Sequence, residues 1–113
     1  MSAETKITTR EAGSKIIIDI DAQNVDFRNC EMIKSTVSAL AIPGKAHLVL
    51  NLSQVGFMDS SGLGVILFCK RVCDEAGGSF AVCGLQSYVN NLVTLTKLDK
   101  AVSIFPTEFE AAC

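Results

Sequence analysis

The chain has 113 residues, 49% of them hydrophobic, and a formal net charge of −2. That length and apolar content are enough for one core and too little for two, so a single domain over residues 1–113 is expected. Its ten lysines and arginines are scattered among twelve acidic residues, which excludes the basic footprint of a nucleic-acid binder.

No apolar run approaches the roughly 18 to 20 residues of a membrane span, and the start Met1-Ser2-Ala3-Glu4-Thr5-Lys6 lacks the apolar centre of a signal peptide. A cytoplasmic location without membrane insertion is therefore expected. The five cysteines are odd in number and contain no C-x-x-C pair, which argues against a disulfide framework. Cys69 and Cys73 could share a helix face, but no second pair completes a ligand set, so core packing is expected and neither metal nor cofactor is implied.

In chain order, residues 6–10 read as an edge strand and Ala12-Gly13-Ser14 as a turn. Lys15-Ile16-Ile17-Ile18-Asp19-Ile20 is a strand rich in β-branched residues. A helix fits residues 27–40, with Phe27, Cys30, Ile33, Val37 and Leu40 on one side and Pro43-Gly44 closing it. His47-Leu48-Val49-Leu50-Asn51-Leu52 is apolar nearly throughout, as in a strand covered on both faces. A second helix spans residues 61–76 and stops at Gly77-Gly78. Residues 79–83 form another buried strand, 88–98 a helix, 101–105 a short strand and 107–112 a terminal helix. This alternation implies an α/β domain with right-handed crossovers: a mixed, mostly parallel sheet of about five strands, opened by one hairpin, with about four helices.

The junction Gly56-Phe57-Met58-Asp59-Ser60-Ser61-Gly62-Leu63-Gly64 lies between the central strand and its helix. Asp59, Ser60 and Ser61 fall where the first helical N–H groups lack internal partners and the helix dipole is positive, so an added anion is favoured there. In such sheets function tends to sit at the C-terminal ends of strands. A hydrolase elbow, G-x-S-x-G, fails in both registers, with Met58 or Asp59 in the first glycine position. The one histidine, His47, starts the strand whose far end leads into the serines, about 15 to 20 Å away at strand rise. The phosphate-loop pattern is absent, and Gly62-Leu63-Gly64 lacks the third glycine of a dinucleotide fingerprint. No enzymatic activity is expected, and simple helix capping by Asp59 and the serines stays open.

At 100° per residue, Gly62, Val65, Ile66, Cys69, Val72, Cys73 and Ala76 share one broad face, which must be the core face. The other side holds Lys70, Arg71, Asp74 and Glu75, but also Leu63, Leu67 and Phe68. Either a neighbouring element such as the last helix covers these three, or they form a partner-binding surface.

Phe57-Met58-Asp59-Ser60-Ser61-Gly62-Leu63-Gly64 resembles the signature of the STAS-domain anti-anti-sigma factors, the bacterial antagonists of anti-sigma kinases. The likeness extends over the 48–52 strand, the Gly77-Gly78 break, the 80–83 strand and Leu98-Asp99. The resemblance implies a STAS fold and an anti-sigma factor antagonist that binds an anti-sigma serine kinase of the histidine-kinase-like ATPase fold and releases a sigma factor. It also implies that the kinase phosphorylates Ser60, with Asp59, Ser61, Gly62 and Leu63 in the recognition loop, and that a phosphoserine phosphatase is a further partner. Asp26 matches the acidic residue of a turn before the first helix, though Gln23 stands where the family has glycine. A STAS docking subunit of a transporter or of another signalling assembly, without phosphorylation, is the alternative.

Overall fold

The computed structural model describes residues 4–113. The β-branched run forms the second arm of a hairpin, β1 (Lys6–Ala12) and β2 (Lys15–Asp21), paired antiparallel from Lys6 opposite Asp21 to Ala12 opposite Lys15. Gly13, at φ 62°, supplies the left-handed turn residue. β4 (His47–Asn51) then pairs parallel with β2, β6 (Ser79–Cys83) with β4, and β7 (Ser103–Phe105) with β6, giving the order β1-β2-β4-β6-β7. The five-stranded, mostly parallel sheet opened by a hairpin is the expected one.

The helices divide unequally between its faces. α1 (Cys30–Leu40), α2 (Ser60–Glu75) and α3 (Ser87–Leu95) accompany the larger core, where Ile18, Ile20, Leu48, Leu50 and Val82 meet Ile33, Val37, Val65, Ile66, Val89 and Val93. α4 (Glu108–Ala112) accompanies a smaller cluster of Ile17, Val49, Cys83 and Ala111. Alternate residues of β2 and β4 thus feed different cores, which is why both strands read as continuously apolar. Arg10 fastens α4 to the sheet: its guanidinium donates to Asp19 at 2.6 and 2.9 Å and also to Glu108.

Several boundaries differ from the sequence expectation. The first helix begins at Cys30, not at residue 27, because Asn29 Oδ1 accepts from the Asp26 N–H at 3.0 Å and holds residues 26–29 in a turn. Phe27, expected on the core side, is consequently 73% exposed. The third helix starts at Ser87 and ends at Leu95; Lys97 adopts φ 61° and a 3-10 turn, Leu98–Lys100, follows. The last strand is correspondingly shortened to begin at Ser103.

One element was not anticipated. β3 (Asn24–Val25) and β5 (Phe57–Met58) form a separate parallel ribbon, pairing Asn24 with Phe57 and Val25 with Met58. Two residues carry no readable periodicity. Yet this ribbon joins the turn before α1 to the junction before α2.

Candidate functional site

Asp59 leaves the ribbon in extended conformation and caps α2: its Oδ1 accepts from the Ser61 N–H at 2.8 Å and the Gly62 N–H at 3.3 Å. One carboxylate oxygen thereby satisfies two of the otherwise unpaired donors of the first turn. Ser60, the first helical residue, is exposed, and Ser61 is half-buried. Gly62 is buried against the ribbon, where an added Cβ would meet Met58 Cγ and lie 2.9 Å from both Met58 Sδ and the Val25 carbonyl oxygen. The glycine is therefore required by close approach of helix and ribbon.

The ribbon brings Asp26 to the same end of the molecule. Beyond the Val25 and Met58 pair, the next residues are Asp26 and Asp59, and the Asp59 N–H donates to the Val25 carbonyl at 3.4 Å. The Gln23 carbonyl accepts from Gly56 and Phe57 N–H at 2.9 and 3.1 Å, while its side chain packs over Gly56. Asp26 is only 7% exposed. It is matched by Arg28, whose backbone N–H donates at 3.0 Å and whose Nη2 donates at 2.7 Å. The Arg28 guanidinium holds the Asp26 carboxyl below its ordinary pKa; in turn Asp26, and then the charge of Asp59, raise that of Arg28. Asn29 completes the turn by donating from Nδ2 to the Asn24 carbonyl and to Thr5 Oγ1, both at 2.8 Å.

Arg28 is the charged residue that sequence reasoning missed. An arginine two positions from an aspartate across a turn has no periodic signature, and only the folded turn places its fork on the carboxylate.

The outer face of α2 is partly apolar as expected, but unevenly. Leu67 is 48% exposed, whereas Leu63 is half-buried against the larger core. Phe68 is half-buried beneath two cations, with Lys34 Nζ 5.5 Å and Arg71 Cζ 5.3 Å from its ring centre. The last helix covers none of the three, because it packs on the opposite face of the sheet. Phe57 extends the apolar surface along the ribbon, stacking on Tyr88 with ring centres 5.1 Å apart while both stay exposed. Phe27, next to Asp26, is also exposed.

His47 lies at the opposite end of β4, where its Nδ1 is 2.9 Å from Ser79 Oγ. All five cysteines are free, and burial pushes the thiols of Cys69 and Cys73 up to about 12 and 11, as suits core packing. Among the described residues no group of three His, Cys, Asp or Glu side chains is arranged to hold a metal, and no helix is long and apolar enough to cross a membrane.

The STAS domain model matches this chain over residues 6–111. The chain belongs to the STAS domain family. Its relatives include the anti-sigma F factor antagonist of Paenibacillus polymyxa, 42% identical over 65 residues covering 58% of this chain and 56% of that protein. A Thermotoga maritima protein assigned as an anti-sigma factor antagonist is 30% identical over 97 residues, covering 85% of this chain and 86% of its own. The crystal structure of such a protein from the same organism superposes with a TM-score of 0.82 at 27% identity, covering 93% and 90% of the two chains.

Two more distant likenesses concern the fold alone. The phosphorylated form of the Bacillus cell fate determinant SpoIIAA gives a TM-score of 0.69 at 20% identity, covering 94% of this chain and 96% of that one. The murine anion transporter Slc26a9 gives 0.76 at 19%, covering 90% of this chain but 18% of the transporter.

Proposed function

We propose that this chain is an anti-sigma factor antagonist: a cytoplasmic, non-enzymatic docking module switched by phosphorylation of Ser60. The observation that carries this reading is the exposed Ser60 beside its half-buried aspartate cap, within a surface that exposes Phe57 and Leu67. Unmodified, the chain docks Asp59, Ser60, Ser61 and Leu67, with Asp26 at the rim and Gly62 and Leu63 shaping the loop, onto an anti-sigma serine kinase of the histidine-kinase-like ATPase fold. A sigma factor is released in exchange. The names of the relatives support an anti-sigma partner.

In the transfer step the Ser60 Oγ forms a bond to the γ-phosphorus of ATP held by the kinase, the bond to the bridging oxygen breaks, and ADP leaves. The hydroxyl proton passes to a base of the kinase, since His47 stands at the far end of β4. The product adds about −1.5 to −2 charge. At a helix N-terminus an anion gains roughly 0.3 to 1 kcal/mol, which the adjacent Asp59 opposes, so this domain stays folded. The switch acts at the interface, where the partner must bury or repel the new charge, and a phosphoserine phosphatase resets it.

Binding of the kinase to two variants tests the reading. Ser60→Ala is expected to bind constitutively and Ser60→Asp weakly, both with native melting temperature; equal affinities would refute it. The likeness to a segment of Slc26a9 favours a second reading, a STAS docking subunit without phosphorylation. Incubation with ATP and the kinase, followed by intact mass, separates the two, since that subunit gains no phosphate.

A further inference from the structure

We infer that Arg28 changes partners when Ser60 is phosphorylated, leaving the Asp26 carboxylate to grip the phosphate. The inference rests on the reading of Ser60 as the acceptor. Its geometry comes from the ribbon: the pairing of Val25 with Met58 sets Asp26 beside Asp59 at the strand ends, so the chain on one side turns through Arg28 as the other enters α2 at Ser60. Arg28 Nη2 holds the Asp26 carboxylate at 2.7 Å, one residue beyond that pairing.

The exchange sets the mobility of Arg28 and the charge of a phosphate against the need of Asp26 for a partner. The Arg28 side chain is 56% exposed and free to swing, whereas that of Asp26 is 9% exposed, so the phosphate must outcompete a carboxylate that loses its charge partner. A phosphate presents more charge than a carboxylate and accepts the planar guanidinium fork in the same two-point manner. Asp26 is not stranded by the loss, because the backbone N–H of Arg28 still donates to it at 3.0 Å.

Other cations nearby are engaged. Lys34 on α1 faces Glu31 at 3.7 Å and the Phe68 ring, and Lys70 and Arg71 lie two to three turns along α2, paired with Asp74 and Glu75. The first turn of α3 carries no acidic side chain. The charged groups that the ribbon gathers at Ser60 are Asp59 and Asp26, which raise the second pKa of a phosphate there, and Arg28, which lowers it. The consequence for signalling is a transfer of bare negative charge from the acceptor to Asp26, at the rim of the docking surface.

Phosphorus NMR of protein with phosphoserine installed at position 60 during translation tests this without any kinase. Titrated across the second ionisation, near pH 6, the wild-type phosphate is expected to have a midpoint roughly half to one pH unit below that of Arg28→Met. Arg28→Lys, which keeps the charge and loses the fork, should fall between them and serves if the methionine variant fails to fold. Coincident midpoints for the wild type and the folded variant would overturn the exchange. Because the modification is built in, that result would leave the separate question of kinase action on Ser60 to the ATP and intact-mass experiment.

Discussion

Replacing Gly62 by alanine isolates the contact that shapes the junction. The new methyl would collide with the Met58 side chain, itself 1% exposed, and approach the Val25 carbonyl oxygen to 2.9 Å. Met58 has little room to retreat, and the carbonyl moves only with the whole ribbon, so an overpacking cost of about 1 to 3 kcal/mol is expected. Alanine also gains up to about 1 kcal/mol over glycine in a helix, which would mask part of that cost. Gly64, two residues along the same helix, provides the correction, because a methyl there meets nothing within 4 Å. The difference between Gly62→Ala and Gly64→Ala largely cancels the propensity gain. At about 4 °C per kcal/mol for a chain of this size, thermal unfolding followed by circular dichroism should place Gly62→Ala about 4 to 12 °C below Gly64→Ala. Equal melting temperatures would show that the ribbon yields freely and that close approach does not fix the loop.

Three further outcomes are expected. Leu67→Lys should weaken kinase binding at unchanged melting temperature, whereas Ile66→Lys, at a buried neighbouring position, should unfold the chain; a large drop in stability for Leu67→Lys would place that residue in the core. Asp59→Ala removes the cap on two N–H groups and should cost about 1 kcal/mol in urea unfolding, and no loss would contradict the capping geometry. The Asp19 carboxyl is held below its ordinary pKa chiefly by hydrogen bonds from Arg10, against the opposing effect of burial. Its contribution is complete above the unfolded-state value, near pH 4, and is lost as pH falls through the lower folded-state value. Asp19→Asn should therefore be less stable than the wild type at pH 7 and lose less between pH 7 and about pH 3. Parallel losses would remove the Arg10 clamp from the account of acid stability.

The sheet and its helices were legible because their apolar residues repeat: the continuous run at 48–52 marks a strand covered on two faces, and Val65, Ile66, Cys69 and Cys73 mark a helical stripe. Leu67 stood out for the same reason, as a large apolar residue off that stripe. Phe27 was misplaced because periodicity alone does not see the turn that Asn29 makes with Asp26, and the helix begins only after it. Leu63 reads as outward by angle but is half-buried, since the first turn of α2 leans onto the ribbon through Gly62. The ribbon lay beyond reach because it forms only when residues about thirty positions apart are folded together, and the Arg28 fork because a contact across two residues of a turn leaves no periodic trace.

The β3 and β5 ribbon pairs only two residues on each strand, apart from the five-stranded sheet. A unit with so few backbone bonds opens at far lower free energy than the sheet beside it, so the Asp59 amide should exchange with deuterium well before those of Val49 and Leu50. Ser60, the proposed acceptor, follows directly on that ribbon, so its backbone setting is fixed by side-chain burial more than by strand pairing.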